Sequence, residues 1–195
     1  MNHWCNIIDS KEPNLQEINF LCNYKKKLNI ILSISMSFYQ DNFVNSNEIL
    51  RIIQKRDNDF KNINSAKSRR IAQYGYEYTY TTKTVNKISP IPPELNFDEK
   101  ISEALGKKVE FDQLIINEYK PKQSIAPHID SSVFGPIIAC ISVGADGKIV
   151  FGDKTSLKVK NESLYVMEDY YRYETTHQYT NNTKNIRYSL TYRTV

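Results

Sequence analysis

Cysteine is scarce in this chain: Cys5, Cys22 and Cys140 are the only three in 195 residues, and no two form a CxxC pair. That odd, dispersed set excludes a disulfide framework. A zinc site built from His3, Cys5 and Cys22 lacks a fourth ligand, so a reducing compartment is expected. Glycine (6) and proline (7) are also few, and there is neither an internal repeat nor a low-complexity tail. No apolar run approaches the length of a membrane span, and the N-terminus lacks a charged-then-apolar signal peptide. The expectation is a soluble, intracellular monomer with no membrane partner. Charge of one sign is not dominant either. A formal net charge of +4 permits a nucleic-acid partner without demanding one. Hydrophobic residues at 40% and charged residues at 25% are ordinary for a globular protein, and the length suits one domain.

Histidine is as rare as cysteine, yet two of the three histidines fall in one arrangement: His128 and Asp130, then His177. A His-x-Asp pair with a distant second histidine has the ligand spacing of a 2-His-1-carboxylate facial triad. That triad holds Fe(II) on one face and leaves the other open for a co-substrate and O₂. A His-x-Asp pair alone is weak evidence, since such pairs often cap turns. Residue parity strengthens it. Residues two apart on a strand share a face, so Asn117 aligns with Tyr119, and Arg187 with Ser189, Thr191 and Arg193. Ile116, Tyr188, Leu190 and Tyr192 would fill the opposite faces. Two arginines on one strand face repel unless both answer an anion, and a guanidinium forks bidentately onto a carboxylate. Solvated surface arginines are the plain alternative, and they leave the His-x-Asp pair unexplained.

Along the chain, residues 1–29 show no clear period and read as an arm of unknown role. Ile30 to Phe38 alternates like a strand, and Asn45, Ser46 or Asn47 can cap a helix through Ile49, Leu50, Ile52 and Ile53. Alternating tyrosines from Tyr74 to Tyr80 predict a single strand with an aromatic face. Pro90, Pro92 and Pro93 bound a loop before a helix near Asp98 to Leu105, with Gly106 as its C-terminal cap. From Phe111 the pattern is β-rich: Gln113 to Tyr119, Ile137 to Val143, Ile149 to Phe151, Ser156 to Val159, Ser163 to Glu168 and Arg187 to Arg193. Short strands at this spacing predict a mainly β, α+β sandwich or jelly roll with helices outside.

Five segments in order carry a family pattern: Leu114-Ile115-Ile116-Asn117-Glu118-Tyr119, Ile125-Ala126-Pro127-His128-Ile129-Asp130, Ile141-Ser142-Val143-Gly144, Tyr171-Arg172-Tyr173 before His177, and Arg187 through Arg193. The chain resembles the AlkB family of Fe(II)/2-oxoglutarate dioxygenases, strongly from about residue 111 and more weakly from about residue 30. The resemblance implies one domain over 30–195, a double-stranded β-helix (jelly roll) core over about 111–195, and an N-terminal nucleotide-recognition lid over about 67–84. It implies iron on His128, Asp130 and His177. It implies 2-oxoglutarate held by Asn117, Tyr119, Arg187, Ser189 and Arg193, with O₂ as the second co-substrate. Arg69, Arg70, Tyr76 and Tyr78 would meet modified DNA or RNA, for demethylation, hydroxylation or repair. The plain alternative is that Tyr76 and Tyr78 form a core-packed strand face, a reading that weighs more at Tyr78 than at Tyr76. Ser132 stands where the bacterial repair enzyme has an acidic contact to adenine, which argues against an alkyl-adenine substrate. The spacing from Arg172 to His177 resembles the eukaryotic branch that includes the tRNA wobble-uridine enzyme. An oxygenase of protein or small molecules, and a non-catalytic binding module of the same fold, are the competing classes.

Overall fold

The computed structural model describes residues 38–63 and 68–195. The arm over 1–29, most of the strand expected from Ile30, and Lys67 lie outside the described residues. Among the described residues, thirteen strands form three antiparallel sheets. The major sheet runs β1 (Phe38–Gln40), β11 (Ser163–Met167), β8 (Ile138–Val143), β13 (Arg187–Arg193), β6 (Gln113–Tyr119), β3 (Arg70–Tyr74), β2 (Lys61–Asn62). The minor sheet runs β10 (Ser156–Val159), β9 (Gly147–Phe151), β12 (His177–Thr180), β7 (Ser124–His128). A separate hairpin joins β4 (Tyr76–Thr79) and β5 (Thr84–Lys87). This is the jelly roll that the sequence predicts.

Strand parity sorts the side chains into layers. Leu114 and Ile116 on β6, Ala139, Ile141 and Val143 on β8, and Leu190 and Tyr192 on β13 share one core. That core is closed by Ile49 and Ile53 of α1 (Ser46–Lys55) and Ile101 of α2 (Asp98–Leu105). Their alternate neighbours, Ile138 and Cys140 of β8 and Tyr119 of β6, join Ile149, Phe151 and Tyr179 from the minor sheet in a second core. Local signals fit this layering. Asn45 caps α1, its side-chain oxygen accepting from the backbone N–H groups of Asn47 and Glu48, and α2 ends at Gly106 in the left-handed conformation.

The Tyr74–Tyr80 stretch is not one strand. Gly75 breaks it, with φ +76°, and a Cβ built there would stand 1.8 Å from the carbonyl oxygen of Asp112. Tyr74 therefore ends β3 and points into the helix-side core, where its hydroxyl donates to Asp59, while Tyr76 and Tyr78 begin the hairpin.

Arg70 faces the same side as Tyr74. Its Nε donates to Glu118 Oε1 at 2.9 Å and its Nη2 to Glu118 Oε2 at 2.6 Å, with Asp57 at 2.6 Å. Glu118 is only 1% exposed, so Arg70 is the counterion of a buried carboxylate. Breaking such a pair leaves an uncompensated charge. Arg70→Ala should therefore cost on the order of 3 kcal/mol of stability, read by urea denaturation. A loss within experimental error of zero would contradict this account. Glu118→Gln should cost less, because Arg70 retains Asp57.

Candidate metal centre and its cavity

His128 ends β7 and His177 opens β12, and the two are register partners across the minor sheet. Their rings lie 4.3 Å apart, centroid to centroid. Asp130 follows two residues beyond His128, with its Oδ1 at 3.7 Å from His128 Nε2. One ligand atom from each of the three residues lies within 4.8 Å of the others. His128 Nδ1 stands 2.8 Å from the carbonyl of Ala126. A carbonyl only accepts, so that contact uses Nδ1 as a donor and leaves Nε2 as the ring nitrogen that faces Asp130.

The protonation states suit a metal. Burial lowers the pKa of His177 to about 4, against a partial opposing pull from Asp130, so the imidazole is neutral at physiological pH. Burial would raise the carboxyl of Asp130, but Arg193 first, then His177 and His128, hold it below the usual range. A neutral imidazole and an ionised carboxylate are the ligand forms that bind a cation without first losing protons.

These residues line a cavity of about 410 Å³ between the two sheets. Arg187 is 1% exposed. Its Nε donates to Ser142 Oγ at 2.9 Å, and its guanidinium lies 4.4 Å from the centre of the Tyr179 ring. No carboxylate pairs with it among the described residues. Arg193 sits 4.0 Å over the Phe134 ring, with Nη1 at 3.4 Å from Asp130 Oδ1. Ser189, Asn117 and Tyr119 line the same space, and burial pushes the Tyr119 hydroxyl up to about 12, so it remains a donor. Six buried side-chain polar atoms lack a hydrogen-bond partner among the described residues, and four belong to this lining: His177 Nδ1, Tyr179 OH, Arg187 Nη2 and Arg193 Nε. Buried donors without acceptors are costly, and their concentration here fits an anion that supplies the acceptors.

The residues expected to face nucleic acid divide in two. Arg69 and Tyr78 line the cavity. Arg69 Nε donates to Asn117 Oδ1 at 2.9 Å, and Tyr78 packs on Tyr80 and Phe134 with centroid separations of 5.1 and 5.4 Å. Arg70 lies on the opposite side of the sheet with Glu118, and Tyr76 stays outside the cavity beside Gln113, which donates to its carbonyl. For the arginines the reason is parity: Arg69 and Arg70 are consecutive residues and point to opposite faces. Tyr179, Tyr80 and Phe134 also line the cavity and were not read from the sequence. Tyr179 was within reach, because it stands two residues after His177 on the same strand face. A second cavity of about 450 Å³ adjoins, sharing Ile63, Tyr78 and Tyr80 with the first.

Comparison with known proteins agrees with this geometry. The model of the 2OG-Fe(II) oxygenase superfamily matches residues 30–193. The tRNA (carboxymethyluridine(34)-5-O)-methyltransferase alkbh8 of Xenopus tropicalis is 35% identical over 136 residues, 64% of this chain and 21% of the relative. The protein of that name from Mus musculus is 36% identical over 126 residues, 60% of this chain and 19% of the relative. The chain thus spans about a fifth of the length of the curated relatives it matches. The solved structure of OsALKBH1 shares the fold with a TM-score of 0.65 at 13% identity, covering 80% of this chain and 96% of that one. A Pseudomonas putida prolyl-4-hydroxylase shares it at 0.53 and 15% identity, covering 81% and 92%. Among the described residues no helix is long and apolar enough to cross a membrane. With residues 30–193 matched, the chain belongs to the 2OG-Fe(II) oxygenase superfamily of 2-oxoglutarate-dependent dioxygenases, and among the proteins it resembles are AlkB homologues.

Proposed function

We propose that the cavity holds 2-oxoglutarate beside a ferrous ion on His128, Asp130 and His177, and that the substrate is a modified base in nucleic acid. The observation that carries this reading is Arg187, a buried guanidinium with an unpartnered nitrogen and no carboxylate, in the same cavity as the three ligands. A desolvated cation of this kind calls for an anion. Arg187 and the Tyr179 hydroxyl receive the carboxylate of 2-oxoglutarate farther from the metal, with Ser189 beside them. Arg193, already tied to Asp130, approaches the end nearer the metal. Asn117, held by Arg69, and Tyr119 add hydrogen bonds along the length. The bound iron with 2-oxoglutarate and O₂ supplies the chemistry that turns a C–H bond into C–OH, with succinate and carbon dioxide as co-products. When the carbon is an N-methyl group, the product collapses to formaldehyde and the demethylated base.

Nucleic acid is favoured by the mouth of the cavity. The Tyr78 and Tyr80 rings stand between the two cavities, with Arg69 beside them, an arrangement suited to stacking one base and meeting one phosphate. The matched relatives carry the names of tRNA-modifying enzymes. The direct test is mass spectrometry of oligonucleotides carrying different modified bases after incubation with protein, iron, ascorbate and 2-oxoglutarate. A gain of one oxygen or loss of a methyl group on one base supports the reading. Normal turnover of 2-oxoglutarate with every oligonucleotide unchanged rejects nucleic acid as substrate.

Five variants separate the roles. His177→Ala should abolish iron-dependent turnover of 2-oxoglutarate, and unchanged turnover would remove His177 from the ligand set. Arg187→Ala should weaken 2-oxoglutarate binding by about 3 to 5 kcal/mol, measured by calorimetric titration. For oligonucleotide binding, Tyr78→Ala should cost about 1 to 3 kcal/mol with little change in salt slope. Arg69→Ala should flatten that slope by about one unit. Tyr76→Ala should alter neither.

A further inference from the structure

Arg172 is a buried cation whose side-chain hydrogen bonds go to no carboxylate, although the charge of Asp130 acts on it through space. It lies in α3 (Asp169–Tyr173), is 2% exposed, and pairs with no carboxylate among the described residues. Its partners are backbone carbonyls. Nε donates to Gly135 at 2.9 Å, Nη1 to Asp130 at 2.9 Å, and Nη2 to Ser131 at 2.9 Å and Phe134 at 2.7 Å. The Tyr173 ring covers the guanidinium at 4.6 Å. All four acceptors belong to one loop, the loop that begins at Asp130.

The need for that clamp follows from the topology. His128 and His177 are strand residues, paired in register and held by the ladder of the minor sheet. Asp130 lies past the end of β7, so no ladder hydrogen bond fixes its backbone. Its carbonyl is held by Arg172 instead. The loop's own backbone bonds are few: Phe134 N–H to Ser131, and Gly135 N–H to Thr194. Only arginine presents enough N–H donors in one rigid plane to gather four carbonyls, and an ammonium cannot span them. Burying its charge is unfavourable in itself, so the loop is held at a cost to the fold. Arg172 also stands five residues before His177, so one short segment carries one ligand and anchors the backbone of another.

We propose that Arg172 is the positioning residue of the metal centre: by gathering the carbonyls of Asp130, Ser131, Phe134 and Gly135, it holds the Asp130 carboxylate against the two imidazoles. This rests on the assignment of His128, Asp130 and His177 as ligands. The test is the affinity of the full chain for Co(II), measured by calorimetry, in wild type, Arg172→Lys and Arg172→Gln. The control is Leu95→Ala, a cavity variant in the helix-side core, remote from the loop. Arg172→Gln should weaken Co(II) binding roughly tenfold to a hundredfold, with Arg172→Lys between it and wild type. Leu95→Ala should lower the melting temperature and leave Co(II) affinity unchanged. If Arg172→Gln does not fold, Arg172→Lys alone decides. Co(II) affinity within twofold of wild type in the folded Arg172 variants overturns the proposal. So does an equal loss in Leu95→Ala, which would make the effect one of global stability. Wild-type protein that binds no Co(II) overturns the ligand assignment itself, and this inference with it.

Discussion

The central strands of the major sheet are buried on both faces; the helix-side face is mostly apolar, and the other mixes apolar with polar side chains. That constraint organises the rest of the molecule. On β6, β8 and β13 the helix-side positions are leucine, isoleucine, valine, alanine and tyrosine. The opposite positions include Asn117, Ser142, Arg187, Ser189, Thr191 and Arg193, all removed from solvent. Polar groups in such a place destabilise a fold unless something answers them. Part of the answer is internal, as with Ser142 on Arg187 and Asp130 on Arg193. The remainder, left on Arg187 Nη2, Arg193 Nε and Tyr179 OH, is the signature of a cavity shaped for a charged guest.

Parity also explains what could be read without coordinates. The faces of β6 and β13 follow from a period of two, and both strands begin and end where the apolar pattern sets them. The helix from Asp98 to Leu105 and its Gly106 cap were equally legible. The candidate ligands could be picked out because histidine is rare in this chain and His128, Asp130 and His177, which the fold brings together, stand in an unusual order. Their strands could not be. β7 carries a proline and exposed positions, and β12 is four residues long and mostly polar, so neither alternates clearly. Arg69 and Arg70 looked equivalent as a basic pair, and only the position of β3 in the sheet assigns one to the cavity and the other to Glu118. Gly75 hid a break inside an otherwise unbroken alternation of tyrosines, since the need for φ > 0 there comes from Asp112, distant in sequence.

Arg70 and Arg172, neither of which lines the cavity, illustrate different solutions to one problem. Arg70 meets a carboxylate and becomes part of a core ion pair, whereas Arg172 meets only carbonyls. Hydrogen bonding to dipoles is directional: the geometry of the acceptors is dictated by the planar fork. The second arrangement therefore shapes backbone, where the first merely neutralises.

Among the described residues β7 has a neighbour on one side only, and Pro127 offers no backbone N–H on either. An exposed edge with a missing donor is a poor template for another chain, so the strand that carries His128 is guarded against intermolecular pairing. The same exposure makes its seam with β12, irregular between His177 and Tyr179, the natural point at which the minor sheet frays. A ligand that bridges the two strands across that seam closes it, so occupancy and local order rise together by mass action.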